Sequence, residues 1–347
     1  MSTATEPVDV HDPPRAAAPG FWHREGADNT KRNLALIGVL LLLLVIGAIT
    51  KPEIFLDGER LWSNELTVLT QASSIGVLTI GMTFVMISGG IDLSVGALLA
   101  LASVWCTTVA TQSYGAFSMI FAALAVGAGA GLINGGLIAY GRLVPFIATL
   151  AMMLSARGLA QSISGSQTQI NHDAFINGFA TTKLAGVPVV AIIFLVVVAL
   201  GWVLLNRTTF GRRTVAIGGN AEAARLAGIN VRLHTVLLYV LSGLCCGIAA
   251  LIVVSQTTSG SNTHGDLYEL DAIAAAIIGG TALTGGRGTI VGSLLGVLIF
   301  TQITNLFVIN NLQLDLQRII KGGIIVVAVL IQAFPVISIW RRRKVTS

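Results

Sequence analysis

Charge is scarce in this 347-residue chain, so the charged residues beside or inside its apolar runs are the ones that could do chemistry. They are Asp92 in GGIDLSVG, Arg157 in SARGLA, and Glu269 with Asp271 in YELDAIAAA. An ionisable group near hydrocarbon is costly, and its default reading is functional, as part of a substrate path or gate. Each also has a structural reading. Asp92 can cap the helix that follows it, with Gly89 and Gly90 supplying the turn. Arg157 lies eleven residues past Phe146, about 16 Å along a helix, where it needs a partner. Asp271 or Asp173 could be that partner. Asp271 can equally cap its own helix, and Glu269 can meet an arriving protein or simply be solvated. Ser94, beside Asp92, and Asn134, in AVGAGAGLINGG, complete the candidates for translocation or gating.

Other chemistries find no residues. The three cysteines lie in apolar runs, Cys245 and Cys246 are adjacent, and no CxxC occurs, so neither metal nor redox work is expected. The five histidines are scattered singly. No phosphate-binding GxxxxGK[ST] loop, HExxH, GxSxG or GxGD is present, which argues against a nucleotide hydrolase or an intramembrane enzyme. Nothing points to nucleic acid.

These residues must be positioned by membrane spans. Only 11% of the chain is charged and its mean hydropathy is +0.82, against about 25% charge in a soluble domain. The fold class expected is an all-α polytopic membrane protein, one bundle of about ten helices. The runs long enough to cross about 30 Å are 33–50, 66–88, 94–111, 117–140, 146–164, 187–205, 234–255, 270–284, 289–308 and 318–334. The eighth is short and glycine-laden, so it is expected to be broken or re-entrant. Residues 1–32 read as a disordered tail ahead of an uncleaved anchor. Residues 33–336 form the membrane domain, and 337–347 a basic tail.

Positive charge sets the orientation. With the N-terminus inside, inner segments hold 15 of the 21 lysines and arginines, while Glu53, Asp57, Glu59, Glu65, Asp173, Asp266, Glu269 and Asp315 fall outside. Both termini are then cytoplasmic, in a multi-pass protein of the cell's inner membrane. Small residues recur through the spans, letting helix backbones approach closely where lipid removes the hydrophobic drive.

One stretch stands apart. AIGGNAEAARLAGINV, residues 216–231, lies in the inner loop 206–233 between the sixth and seventh spans. Asn220 is an N-cap, Glu222 and Arg225 can pair at i,i+3, and Gly228 can end the helix at C′. Two turns are too few to be stable alone, so packing must hold them. The apolar face (Ala223, Leu226, Ala227) is too small for lipid burial and suits close protein contact.

FGRRTVAIGGNAEAARLAGINV resembles the cytoplasmic loop of bacterial ribose-type (monosaccharide) permeases of ATP-driven, binding-protein-dependent importers. GMTFVMISGGIDLSVGALLALAS, GRLVPFIATLAMMLSARGLA and YELDAIAAAIIGGTALTGGRGTIVGSLLGVLI resemble three further segments of that family, in order over about 220 residues. The outer stretch QTTSGSNTHGDL departs from the pattern. The resemblance implies a permease subunit that is not itself an enzyme and carries no cofactor, with ATP and magnesium on a separate cytoplasmic ATP-binding subunit. That subunit would dock on the short helix, through Gly219, Asn220, Ala223, Ala224, Arg225, Leu226 and Gly228. An extracytoplasmic sugar-binding protein would deliver a small neutral sugar, a pentose or hexose, and a second permease copy would complete the pathway as a homodimer. Two alternatives stand beside this: an importer of another small solute such as branched-chain amino acids, and an ion-coupled secondary transporter.

Overall fold

Hydrocarbon offers no partner for a free amide, so an apolar run in lipid closes its hydrogen bonds within itself as a helix. The computed structural model describes residues 21–333 and is built almost wholly that way. In chain order its helices are α1 (Phe21–Thr50), α2 (Pro52–Phe55), α3 (Gly58–Ile87), α4 (Val95–Cys106), α5 (Val109–Gln112), α6 (Ala116–Ala139), α7 (Pro145–Ser164) and α8 (Ala174–Thr181). There follow α9 (Val189–Arg207), α10 (Thr209–Gly219), α11 (Ala221–Leu226), α12 (Val231–Thr257), α13 (Tyr268–Ile278), α14 (Ile290–Ile309) and α15 (Leu314–Ala333). Among the described residues seven helices are long and apolar enough to cross a membrane: Asn29–Thr50 within α1, then α3, α6, α7, α9, α12 and α14. The chain is a multi-pass membrane protein.

Eight of the ten expected spans therefore fall on a helix of 19 residues or more, seven of them among those just named, and three differ from expectation in length or bounds. The third, 94–111, contains the 12-residue α4. It stops where Thr108 turns extended to cap α5, with the Thr107 hydroxyl bonded back to the carbonyls of Ser103 and Val104. The eighth, 270–284, overlaps the 11-residue α13, which starts two residues earlier and is ended by Gly279 and by Gly280 in the left-handed region at φ 86°. The tenth, 318–334, begins earlier as α15 and carries Asp315, Arg318 and Lys321 in its first half. Residues 21–32, expected in the tail, are helical and run straight into the first span. Residues 1–20 and 334–347, including the basic tail, lie outside the described residues.

α3 is the axis of the bundle, with almost every residue from Ala72 to Ile87 buried against α9, α12, α13 and α14. The closest helix pair is α6 on α12. Gly127, Gly131 and Gly135 line up at four-residue spacing on one face of α6, and a Cβ on any of them would overlap the α12 backbone at Gly243, Tyr239 or Val236. Gly243 and Gly247 return the contact. Two such helices touch backbone to backbone, which maximises dispersion contact where burial from water contributes nothing.

Two ends of the bundle are distinct. At one, β1 (Gln169–Ile170) pairs antiparallel with β4 (Ser259–Gly260), and β2 (Lys183–Leu184) turns through Ala185 and Gly186, both at positive φ, onto β3 (Val187–Pro188). At the other, the segments following α3 and α13 meet the end of α10, beside Arg32 of α1. The α6–α12 seam makes a paired prediction. Gly127→Leu should cost about 3 kcal/mol or more, seen as a lowered melting temperature in detergent. Gly129→Ala, two residues along but facing open space, should be neutral or gain up to about 1 kcal/mol. Equal responses would refute the seam.

Candidate functional site

The short helix in the 206–233 loop forms as its sequence dictates. The Asn220 side chain accepts the Ala223 amide at 2.9 Å, and Arg225 grips Glu222 through Nε at 3.0 Å and Nη2 at 2.5 Å. That pair holds the exposed Glu222 carboxyl below its usual range. At the far end Gly228, at φ 83°, bonds the Arg225 carbonyl, and Ile229 reaches back to Ala224, the double closure of a Schellman motif. Ala224 is 5% exposed and faces its own bundle, whereas Ala223, Arg225 and Ala227 are exposed and Leu226 is 74% exposed. Ala224 therefore anchors α11, and Ala223 and Leu226 are what another surface would meet. The preceding α10 had no counterpart in the sequence reading. It is amphipathic, burying Gly211, Thr214 and Ile217 while Arg212 and Arg213 face out.

α10 ends on a junction of bare backbones. A Cβ on Gly218 would overlap the Ile87 carbonyl, the atom that accepts the Gly286 amide at 2.8 Å. Gly285, at φ 83°, lies against Gly89, itself at φ 88°. The lead-in to the short helix, the turn after α3 and the turn before α14 thus meet at one point. Gly219 follows, its backbone against Gly286 and only its side-chain direction open.

Asp92, Ser94 and Asn134 are brought together, and all three are buried. Asp92 Oδ1 accepts the Ser94 amide at 3.0 Å and the Ser94 hydroxyl at 2.5 Å, capping the approach to α4. Its Oδ2 accepts the Ser242 hydroxyl of α12 at 2.9 Å, and Asn134 of α6 donates to Ser94 Oγ at 3.0 Å. Asp92 thus holds the turn ahead of α4, whose N-cap is Ser94 and not Asp92 as expected, and it is the knot joining α4, α6 and α12. Tyr239 stands one turn before Ser242, and its buried hydroxyl has no hydrogen-bond partner in the described structure. Sequence reasoning missed both; their signal was two polar residues at i,i+3 in the apolar run TVLLYVLSGL.

Arg157, Glu269 and Asp271 lie apart from that knot. Arg157 pairs with neither expected acid. Its Nη1 donates to the carbonyls of Asn262 at 2.6 Å and His264 at 2.8 Å, pinning the loop after α12 to α7. Asp173 instead caps α8 through the Ile176 amide, and Asp271 bridges to Lys321 of α15 at 3.3 Å. Backbone carbonyls satisfy a guanidinium without charge pairing, which is why acid counting failed here. Glu269 is buried against Gly96 of α4, with Oε2 unpartnered in the described structure. His264 Nδ1 lies 3.2 Å from Ser103 Oγ, and burial, then the charge of Arg157, pushes its pKa down from 6.5 to about 4. A cavity of about 660 Å³ between α4, α5, α6 and α7 is mostly apolar and lined by none of the candidate residues. No group of three or more metal-ligating side chains occurs among the described residues.

Residues 64–329 match the family described as "Branched-chain amino acid transport system / permease component". The chain is 42% identical over 298 residues to the ribose import permease protein of Bacillus subtilis, covering 84% of this chain and 90% of that one. It is 37% identical to the ribose import permease protein of Escherichia coli, covering 86% and 92%. It is 34% identical to the galactofuranose transporter permease protein of the same organism, covering 86% and 89%. No solved structure matches it.

Two measurements check this geometry. Asp92→Ala should cost about 1–3 kcal/mol by orphaning buried donors, and a double-mutant cycle with Ser242→Ala should show coupling of about 0.5–3 kcal/mol. Strict additivity would break the knot. Because folded His264 resists protonation down to about 4 while the unfolded residue titrates near 6.5, its stability contribution is complete above 6.5 and lost as pH falls through that window. His264→Gln should flatten that acid dependence of the melting temperature.

Proposed function

This chain belongs to the branched-chain amino acid transport system permease family, and from that premise we propose that it is the membrane subunit of an ATP-driven importer for a small neutral sugar. The permeases it resembles at 34–42% identity are named for ribose and galactofuranose, which favours sugar over branched-chain amino acids. Nucleotide hydrolysis is then the work of a separate cytoplasmic subunit with its own ATP and magnesium. Both termini are cytoplasmic, an extracytoplasmic binding protein delivers the solute, and a second copy of this chain completes the path, since two ATPase domains need two levers.

The observation that carries this reading is α11. A six-residue helix closed at both ends by its own residues presents Leu226 at 74% exposure, away from its own bundle. Such a knob suits a groove on a partner. Asn220 and Gly228 fix its ends, the Arg225–Glu222 clasp stiffens it, and Ala224 roots it. Closure of the ATPase pair pushes α11, α10 carries the push to the Gly218–Ile87–Gly286 contact, and the short helices on that side of the bundle change which face is open. The Asp92–Ser94–Asn134 knot sits on that route. Arg157 and Glu269 lie where the solute enters, with Asp271 tying α13 to α15.

The test is uptake into proteoliposomes holding this chain and its ATPase, with binding protein outside and labelled ribose, galactose or leucine as solute. ATP inside should drive sugar uptake, and Leu226→Glu should cut it about tenfold or more with an unchanged melting temperature. Full uptake by that variant removes the coupling role. Uptake by the chain alone on an ion gradient makes it a secondary transporter.

A further inference from the structure

At the arginine-rich end of the bundle a cavity of about 290 Å³ lies where α1, the segment before α14 and α15 meet. Its lining includes Arg32, Gly280, Thr284, Arg287 and Val329, so both of its charged side chains are cations. Among the described residues neither arginine belongs to an ion pair. Arg32 Nη1 reaches the Gly280 carbonyl at 3.3 Å and Nη2 reaches Thr289 Oγ1 at 3.2 Å, both long for hydrogen bonds to a cation. Its Nε is buried with no partner in the described structure.

Arg32, half-buried, and Arg287, exposed at the mouth, face one small cavity and repel each other, and the fold nonetheless holds them there. Gly280 is part of the reason: at φ 86° it lets Arg32 lie across the turn, where any Cβ would strike the guanidinium. An anion in the cavity reverses the penalty, and a phosphate matches the guanidinium fork best.

The surroundings say which phosphate. Arg32 stands in the first turn of the span Asn29–Thr50, at headgroup depth. From there the exposed Leu34, Leu41 and Leu42 of α1 and Val326 and Leu330 of α15 offer apolar ridges in the layer that acyl chains fill. We propose that Arg32 and Arg287 form a binding site for the phosphate of an anionic membrane phospholipid, seated between α1 and α15 on the side of the arginine-rich loops. Basic pockets between spans are suited to such headgroups. The site rests on membrane embedding alone and is independent of the transport cycle proposed above.

The full chain, delipidated in detergent, is titrated with phosphatidylglycerol, phosphatidylcholine or inorganic phosphate, and bound lipid is counted by native mass spectrometry. Phosphatidylglycerol should bind about tenfold or more tighter than phosphatidylcholine. Arg287→Gln should abolish that preference, and so should Arg32→Gln. Arg287 carries the test if loss of Arg32 unfolds the α1 contact, because its side chain makes no hydrogen bond among the described residues. Arg212→Gln, which removes the same charge from the exposed face of α10, should leave the preference intact. The site is overturned if the two lipids bind alike, if Arg287→Gln keeps the preference, or if Arg212→Gln loses as much. Inorganic phosphate displacing the lipid at equal concentration overturns its assignment to a lipid.

Discussion

Everything in this bundle depends on backbones that touch. In lipid a leucine gains little by leaving its neighbours for another leucine, so helices associate only where they fit closely or share hydrogen bonds. Gly127, Gly131 and Gly135 bring α6 to contact distance with α12, and Gly279, Gly292 and Gly296 do the same for α13 and α14. The cost is the intrinsic instability of glycine in a helix, about 1 kcal/mol each relative to alanine. Lipid offsets it, because an amide there has no water to turn to and stays helical.

Polar groups supply what close fit leaves unspecified. Small residues allow helices to slide along one another, and a buried knot such as Asp92 with Ser94, Ser242 and Asn134 fixes one register. Arg157 plays a parallel part at the other end by holding the carbonyls of a loop. Breaking either leaves unpaired groups in a poor solvent, so each penalises alternative packings more than it stabilises the native one.

Local signals were legible in the sequence; long-range and amphipathic ones were not. The cap at Asn220, the Glu222–Arg225 clasp and the left-handed Gly228 each depend on neighbours within a few residues, and each is found as read. Span positions follow from apolar length, yet length counting ran through Thr107–Thr108 and past Gly279, where an extended Thr108 and a left-handed turn end the helix. α10 escaped because Phe210, Val215 and Ile217 alternate with arginines too closely to look apolar. Ser242 lies 150 residues from Asp92, a separation no local pattern spans.

Non-helical segments also explain why glycine crowds the end of the bundle where α3, α10 and α13 meet. α3 ends at Ile87, eight residues before α4 begins, and α13 stops at Ile278, so non-helical backbone at 88–94 and 279–289 packs largely against protein, where its free polar groups are tolerated. A lever working on those segments must move them without being absorbed on the way. Long side chains between them would yield by changing rotamer; Gly218, Gly286 and Gly89 have none to change. On the coupling reading, displacement of α11 passes through α10 as a rigid body and arrives at Ile87 and Gly286 undiminished. Gly219, next in the chain, carries the same contact one residue further, its backbone lying against Gly286.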